Sequence, residues 1–344
     1  MNKFFSFIDP RKVTKTSYQI TFIILNIILV VAFLKHPITT FISTDPPPLV
    51  KPLDPRISGT TVEAGMHIEN FHVFDLTNNK FILNAIVWFK FNPALISIDS
   101  IEKFSFEKGD ILLKSKPITK IVGEKVLAQF RIKFSFTSNL NYRLFPINHH
   151  RIFITLTNKS VSPKEFIFDS KESSLSLSKN MLVQGWDKKK HATTTGYSVS
   201  QLDRHDKTTR IYHPVIVFSI DFVRSGIRQV FVLFIPLFII FYLSIFTLSL
   251  PLEHYVRRIT ISIGNISAFI GYRFVLERVS PKVGYLMFID NTFNLLLVLS
   301  VLVFMVNIAT RDKRYQLVRG ITVLAVHIIF LASWFYLCHY WVYN

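Results

Sequence analysis

The sequence predicts a membrane protein in which an extracytoplasmic antiparallel β-sandwich is followed by a four-helix transmembrane bundle, with an additional transmembrane helix at the N-terminus. Three observations carry that expectation. Of the 344 residues, 50% are hydrophobic and 15% aromatic, with Phe alone counted at 34, which is more apolar than an ordinary soluble domain. The apolar residues gather in five runs, 20–34, 230–250, 259–276, 285–309 and 321–342, most of them near the about 20 residues a spanning helix needs. Between the first two runs the chain reads as short β-rich segments separated by turn signals.

Taken in order, residues 1–17 are expected in the cytoplasm and 18–35 as a transmembrane anchor. The first run is short enough for the core of a secretory signal peptide, but no small-x-small cleavage site follows it. A Pro-rich linker, 36–59, reads as a stiff polyproline-like spacer. The sandwich is expected over 60–226. In it Phe81, Leu83 and Ala85 alternate with Ile82, Asn84 and Ile86, and Val126, Ala128, Phe130 and Ile132 alternate imperfectly with Lys125, Gln129, Arg131 and Lys133. No helical pattern stands out there. The bundle is expected over 227–344, with spans about 229–250, 257–276, 284–309 and 319–342.

Basic residues set the orientation. Lys3, Arg11, Lys12, Lys15, Arg257, Arg258, Arg311, Lys313, Arg314 and Arg319 stand in three segments that hold only Asp9, Glu253 and Asp312 as acids. By the positive-inside rule those segments are cytoplasmic. Five spans then leave the sheet region and the C-terminus outside a cell membrane, in the periplasm if the cell is Gram-negative.

Several function classes are not supported. The net charge of +18 does not read as a nucleic-acid binder, because the extracytoplasmic basic residues are scattered along strands and no nucleic-acid partner is expected. Cys338 is the one cysteine, so no disulfide, thiol nucleophile or cysteine metal site is expected. Paired carboxylates, a metal cluster or a nucleophile beside a base are not found at useful spacing. No enzyme activity, cofactor or metal is expected.

At this point the sequence resembles the pentameric ligand-gated ion channels, in their prokaryotic form without the loop disulfide. "LFPINHHRIFITL" resembles the Phe-Pro-x-Asp turn of the loop that joins sandwich and membrane, and "VQGWD" (183–187) the Gly-Trp strand start after it. Arg224 stands 12 residues before Pro236 in "LFIPLFIIF", like the last strand entering the first channel helix. "PLEHYVRRITISIGNISAFIGYRFVLERVSPKVGYLMFID" is similar to the pore helix, the linker after it and the start of the third helix. The resemblance covers about residues 60 to 342. It implies a ligand-gated channel subunit, assembled with identical subunits as a ring, in the family a pentamer, with a small-molecule ligand or a proton, permeating ions and the lipid bilayer as partners. The other class in play is a non-conducting membrane sensor or adaptor that keeps the fold.

The resemblance implies roles for particular residues. Phe145, Pro146 and Asn148 with Arg224, Pro281, Lys282 and Tyr285 would couple ligand site to pore; Asn148 replaces the usual acid and removes one partner of an ion pair with Arg224. Ligand contacts are expected from Phe104, Phe130, Tyr197 and Tyr212, capped by the loop "SQLDRHDKTT". His149 and His150 read either as proton sensors or as hydrogen-bonded strand residues.

The pore can also be argued from the residues. Steps of three and four from Arg257 give Thr260, Gly264, Ser267, Gly271, Phe274 and Arg278, a stripe of small or polar residues closed by Arg at both ends, beside an aliphatic stripe of Ile259, Ile263, Ile266 and Ile270. Such a helix suits one face turned to water and another to protein; small residues equally mark tight helix packing. A ring of Arg257, where cation-selective relatives carry Glu, leans toward anions. Phe274 is the expected dewetting gate, with Ile263 or Ile270 as the alternative.

Overall fold

The computed structural model describes residues 13–41, 43–52, 59–201 and 210–343. The chain divides into two compact units: one of strands, 43–141 and 149–225, and one of helices, which takes in 142–148 from the middle of the chain.

The strand unit is built by period-two burial. In β2 (Lys80–Phe91) Phe81, Leu83, Ala85, Val87, Phe89 and Phe91 are all buried. β6 (Lys125–Phe136) repeats the pattern with Ala128, Phe130, Ile132, Phe134 and Phe136, paired in register against β2 from Phe81–Phe136 to Phe91–Val126. The alternation read from the sequence thus identifies the core face of both strands. Around them run β1 (Thr60–Asp75), β3 (Ser105–Phe106), β4 (Gly109–Lys114), β5 (Ile118–Val122), β7 (His150–Thr157), β8 (Phe166–Asp169), β9 (Leu175–Leu177), β10 (Trp186–Gln201) and β11 (Arg210–Arg224).

Two separate antiparallel sheets are not what these strands form. They hydrogen-bond in one path, β10-β11-β7-β3-β4-β6-β2-β1-β8, with β5 added to β6 and β9 to β1. β8 and β9 both touch β10, so the path curls back on itself and the layer is barrel-like. β1 pairs in parallel with β8 and β9. The expected antiparallel order is corrected here for a physical reason: burial alternation reports which face a residue takes and is blind to the direction of its neighbour, and two short strands cover the free edge of β1. A short helix, α2 (Ile98–Glu102), also stands inside this region, capped by Ser97 Oγ accepting from Asp99 N at 3.2 Å. At five residues it is too short to show a helical period.

The Pro-rich segment is not a free spacer over 43–52. Asp45 is buried and accepts hydrogen bonds from Asn141 N and Arg151 N, both at 2.7 Å. Lys51 exchanges two 3.0 Å main-chain hydrogen bonds with Tyr197 of β10. Gly196 is required beside that bridge, because a Cβ there would run into Lys51 O and the Val50 side chain. β11 departs from alternation: it buries Ile216 and Phe218 in the core and buries the adjacent Val215 and Val217 as well.

Among the described residues the helical unit holds five helices long and apolar enough to cross a membrane: α1 (Thr16–Thr39), α3 (Arg228–Phe246), α4 (Tyr255–Val279), α5 (Phe288–Ala309) and α6 (Gln316–Tyr343). α5 starts later than the 284 expected. Pro281 and Gly284 stand in the preceding segment, and Asp290 Oδ2 accepts from Met287 N at 2.9 Å, which caps the helix there. Trp334 of α6 anchors the packing, with its ring 5.6, 5.4 and 5.5 Å from those of Phe234, Phe238 and Phe288. α1 packs on α6 through polar groups as well as apolar ones: Asn26 Nδ2 lies 2.6 Å from His327 Nδ1, Phe22 stacks on the same imidazole, and Asn26 and His327 are both buried.

Candidate functional site

The α4 helix carries two faces that the sequence stripe separates cleanly. Arg258, Ser262, Asn265, Phe269 and Leu276 are buried. Arg257, Thr260, Gly264, Ser267, Gly271, Phe274 and Arg278 are all exposed, Phe274 at 70%. At 100° per residue, Thr260, Gly264, Ser267, Gly271 and Phe274 each lie two positions from a buried residue, about 160° around the helix from it. A Cβ added at Gly264 or Gly271 meets nothing within 4 Å. Neither glycine therefore packs closely against the described residues of this chain. Ile263 and Ile270 are also exposed, at 50% and 55%, so they and Phe274 share the open side.

Adjacent arginines at the start of α4 have opposite fates. Arg257 is exposed, whereas Arg258 is fully buried and donates to Asn307 Oδ1 (Nη2, 2.7 Å; Nε, 3.1 Å) and to Thr310 Oγ1 at 3.1 Å. Asn307 in turn donates to Thr247 Oγ1 at 2.6 Å and Ser262 Oγ at 3.0 Å. Arg319 of α6, also buried, donates to the main-chain oxygens of Leu248 and Leu250. Both guanidiniums are held by neutral acceptors. At the other end of α4, Arg273 pairs with Asp290 at 2.6 Å and Glu277 at 3.0 Å.

Residues 142–148 end-cap α5. Helix N-termini leave main-chain N–H groups without helical partners, and here Phe288 N donates to Arg143 O at 2.7 Å and Ile289 N to Phe145 O at 3.2 Å. Tyr285 Oη accepts from Tyr142 N at 2.9 Å, and the Arg143 guanidinium lies over the Tyr285 ring at 5.9 Å. Phe145, Pro146 and Asn148 are buried, the Phe145–Pro146 peptide is cis, Pro281 is buried and Lys282 exposed. The sequence singled out the turn and Tyr285; it missed Arg143, whose contribution is a carbonyl that residue type does not reveal.

In the strand unit, the Arg224 guanidinium lies 4.5 Å over the Trp186 ring, and its burial pushes its pKa down to about 10. Gly185, just before that Trp, takes φ +80°, which explains the glycine of the "VQGWD" stretch. His149 and His150 are buried; His150 Nδ1 is 3.2 Å from both carboxylate oxygens of Asp45, and Arg151 grips Asp221 with two hydrogen bonds of 2.5 and 3.0 Å, which raise its pKa further.

The four expected ligand contacts separate into two pairs. Tyr197 and Tyr212 meet edge to face at 5.6 Å on β10 and β11, with Tyr212 41% exposed. Phe104 and Phe130 are 3% and 0% exposed and belong to the core. Their assignment to a surface ligand box is corrected: Phe130 shares the inward face of β6 with Ala128 and Ile132, and aromatic character does not separate core from pocket. The capping loop spans 200–209, of which 202–209 lie outside the described residues. No family model matches the chain and no curated protein matches it.

Proposed function

We propose that this chain is the subunit of a ligand-gated ion channel of the pentameric kind, assembled as a ring of identical copies with the exposed face of α4 turned to the pore. The observation that carries this reading is that face. Beside exposed Ile263, Ile270 and Phe274, α4 presents a stripe of Thr260, Gly264, Ser267 and Gly271 between Arg257 and Arg278, with open space over both glycines, and small or polar residues in such a row suit water better than lipid. One copy cannot enclose water; a symmetric ring can.

The rest of the reading follows from that arrangement. The strand unit acts as the ligand-binding domain outside the cell membrane, with the N-terminus in the cytoplasm and the C-terminus outside. The segment 142–148, held by Tyr285 and the first N–H groups of α5, transmits movement to the helices. Tyr197 and Tyr212 remain as ligand contacts. A ring of Arg257 at the inner mouth favours anions, since charges around a narrow pore act at low effective dielectric. The experiment is current recording from purified protein in planar bilayers through a screen of small ligands and pH. Discrete single-channel currents support the proposal; silence under every condition, with the protein folded and inserted, favours an adaptor.

A further inference from the structure

One carboxylate joins the two ends of the segment that caps α5. Residues 142–148 belong to the helical unit, while the chain on either side of them, 43–141 and 149–225, belongs to the strand unit. Asp45 Oδ1 accepts from Asn141 N and Asp45 Oδ2 from Arg151 N, both at 2.7 Å, so each oxygen holds one side of that segment. Ser43 Oγ donates to Oδ2 at 2.9 Å, and His150 Nδ1 stands 3.2 Å from both oxygens. The Asp45 side chain is 0% exposed.

Burying a carboxylate is costly unless hydrogen bonds compensate it, so its presence in the strap asks for a reason. A strap that only covered strands could be held by main-chain pairs, as Lys51 and Tyr197 hold it farther on. A carboxylate differs in offering two acceptor oxygens on one side chain, one for each of two chain segments. An amide there would keep one acceptor and turn an NH2 toward the other donor. Both segments are anchored again nearby: Ser138 exchanges hydrogen bonds of 2.7 and 3.0 Å with the Asn79 side chain, and Arg151 grips Asp221 of β11. Asp45 is the group that ties the two to each other and to the strap.

We propose that Asp45 is a positioning residue: by clasping both ends of 142–148 it sets how firmly Arg143 O and Phe145 O cap the first N–H groups of α5. The consequence rests on the reading of 142–148 as the transmitting segment. On that reading the strap, which follows α1 in the chain, is an input to the helices separate from the ligand.

The test follows backbone hydrogen exchange by mass spectrometry on the full-length chain in detergent, which requires no current. Asp45→Ala is expected to speed exchange about tenfold in 142–151 and in the first turn of α5, 288–291, as the loss of hydrogen bonds to a charged acceptor implies. Exchange in the core strand β2, 81–91, should stay as in the parent. Asp45→Asn keeps the volume and one acceptor, and should speed the same two regions by a smaller factor; it decides the matter if Asp45→Ala does not fold. Faster exchange confined to 43–52, or raised equally in β2, would overturn the proposal, because a strap that merely packs loosens itself or the whole unit and leaves the α5 cap alone. Silence of every variant in bilayers would count against the channel reading only, since the exchange pattern decides the clasp by itself.

Discussion

Arg257 and Arg258 differ by one position and by nearly all of their surroundings. The buried one spends its donors on Asn307 and Thr310; the exposed one stands at the end of the α4 stripe. If the ring of Arg257 faces permeating ions, Arg257→Glu replaces five positive charges with five negative ones in a pentamer and moves the reversal potential under a salt gradient toward the cation value. An unchanged reversal potential would remove Arg257 from the ion path. Truncating Arg258 is not an equivalent experiment, because it also leaves the Asn307 acceptor buried without its donor. From sequence the two are indistinguishable in type, and only the helical period, counted from the apolar neighbours, separates them. The same limit explains Phe104 and Phe130: residue type suggested a ligand box, and burial assigns them to the core. It also explains Arg143 and Asp45, whose contributions are a carbonyl oxygen and a long-range cap that no local pattern announces.

At the scale of the element, α3 contains Pro236, which has no N–H to give to Val232 O. The Tyr272 hydroxyl of α4 fills that vacancy, reaching Val232 O at 3.2 Å and Leu233 O at 3.1 Å. Tyr272→Phe is expected to cost about 1 kcal/mol of stability, read as a lower unfolding midpoint in detergent. The cost should shrink in a Pro236→Ala background, where the helix supplies its own donor; equal costs in both backgrounds would show that Tyr272 does not serve the proline. α1 offers a second case. Its Asn26 meets His327 of α6 in a buried contact, and such contacts between membrane helices are worth about 0.6 to 2 kcal/mol. Asn26→Leu should loosen α1 enough that a disulfide engineered between Phe33→Cys and Phe335→Cys, whose rings are 5.2 Å apart, forms more slowly than in the parent background. An unaltered rate would mean that apolar packing alone docks the helix. Element type and approximate extent were legible because five long apolar runs and two alternating strands dominate the sequence. The parallel partners of β1 and the docking of 43–52 were not, since both depend on residues far away in the chain.

For the whole molecule, the unsolved requirement of a single copy is the open side of α4. It exposes Ser267 and two glycines where lipid contact would call for apolar side chains, while Ser262, on the opposite side of the same helix, is buried and hydrogen-bonded to Asn307. That contrast gives the most direct test, because both positions are serines and one native thiol, Cys338, can be removed as Cys338→Ala. Ser267→Cys and Ser262→Cys proteins would be recorded in bilayers while a charged methanethiosulfonate reagent is added. The account predicts that the reagent changes the current through Ser267→Cys and leaves Ser262→Cys unaffected. Modification of Ser262→Cys with Ser267→Cys untouched would contradict the assignment of α4's exposed face to the pore.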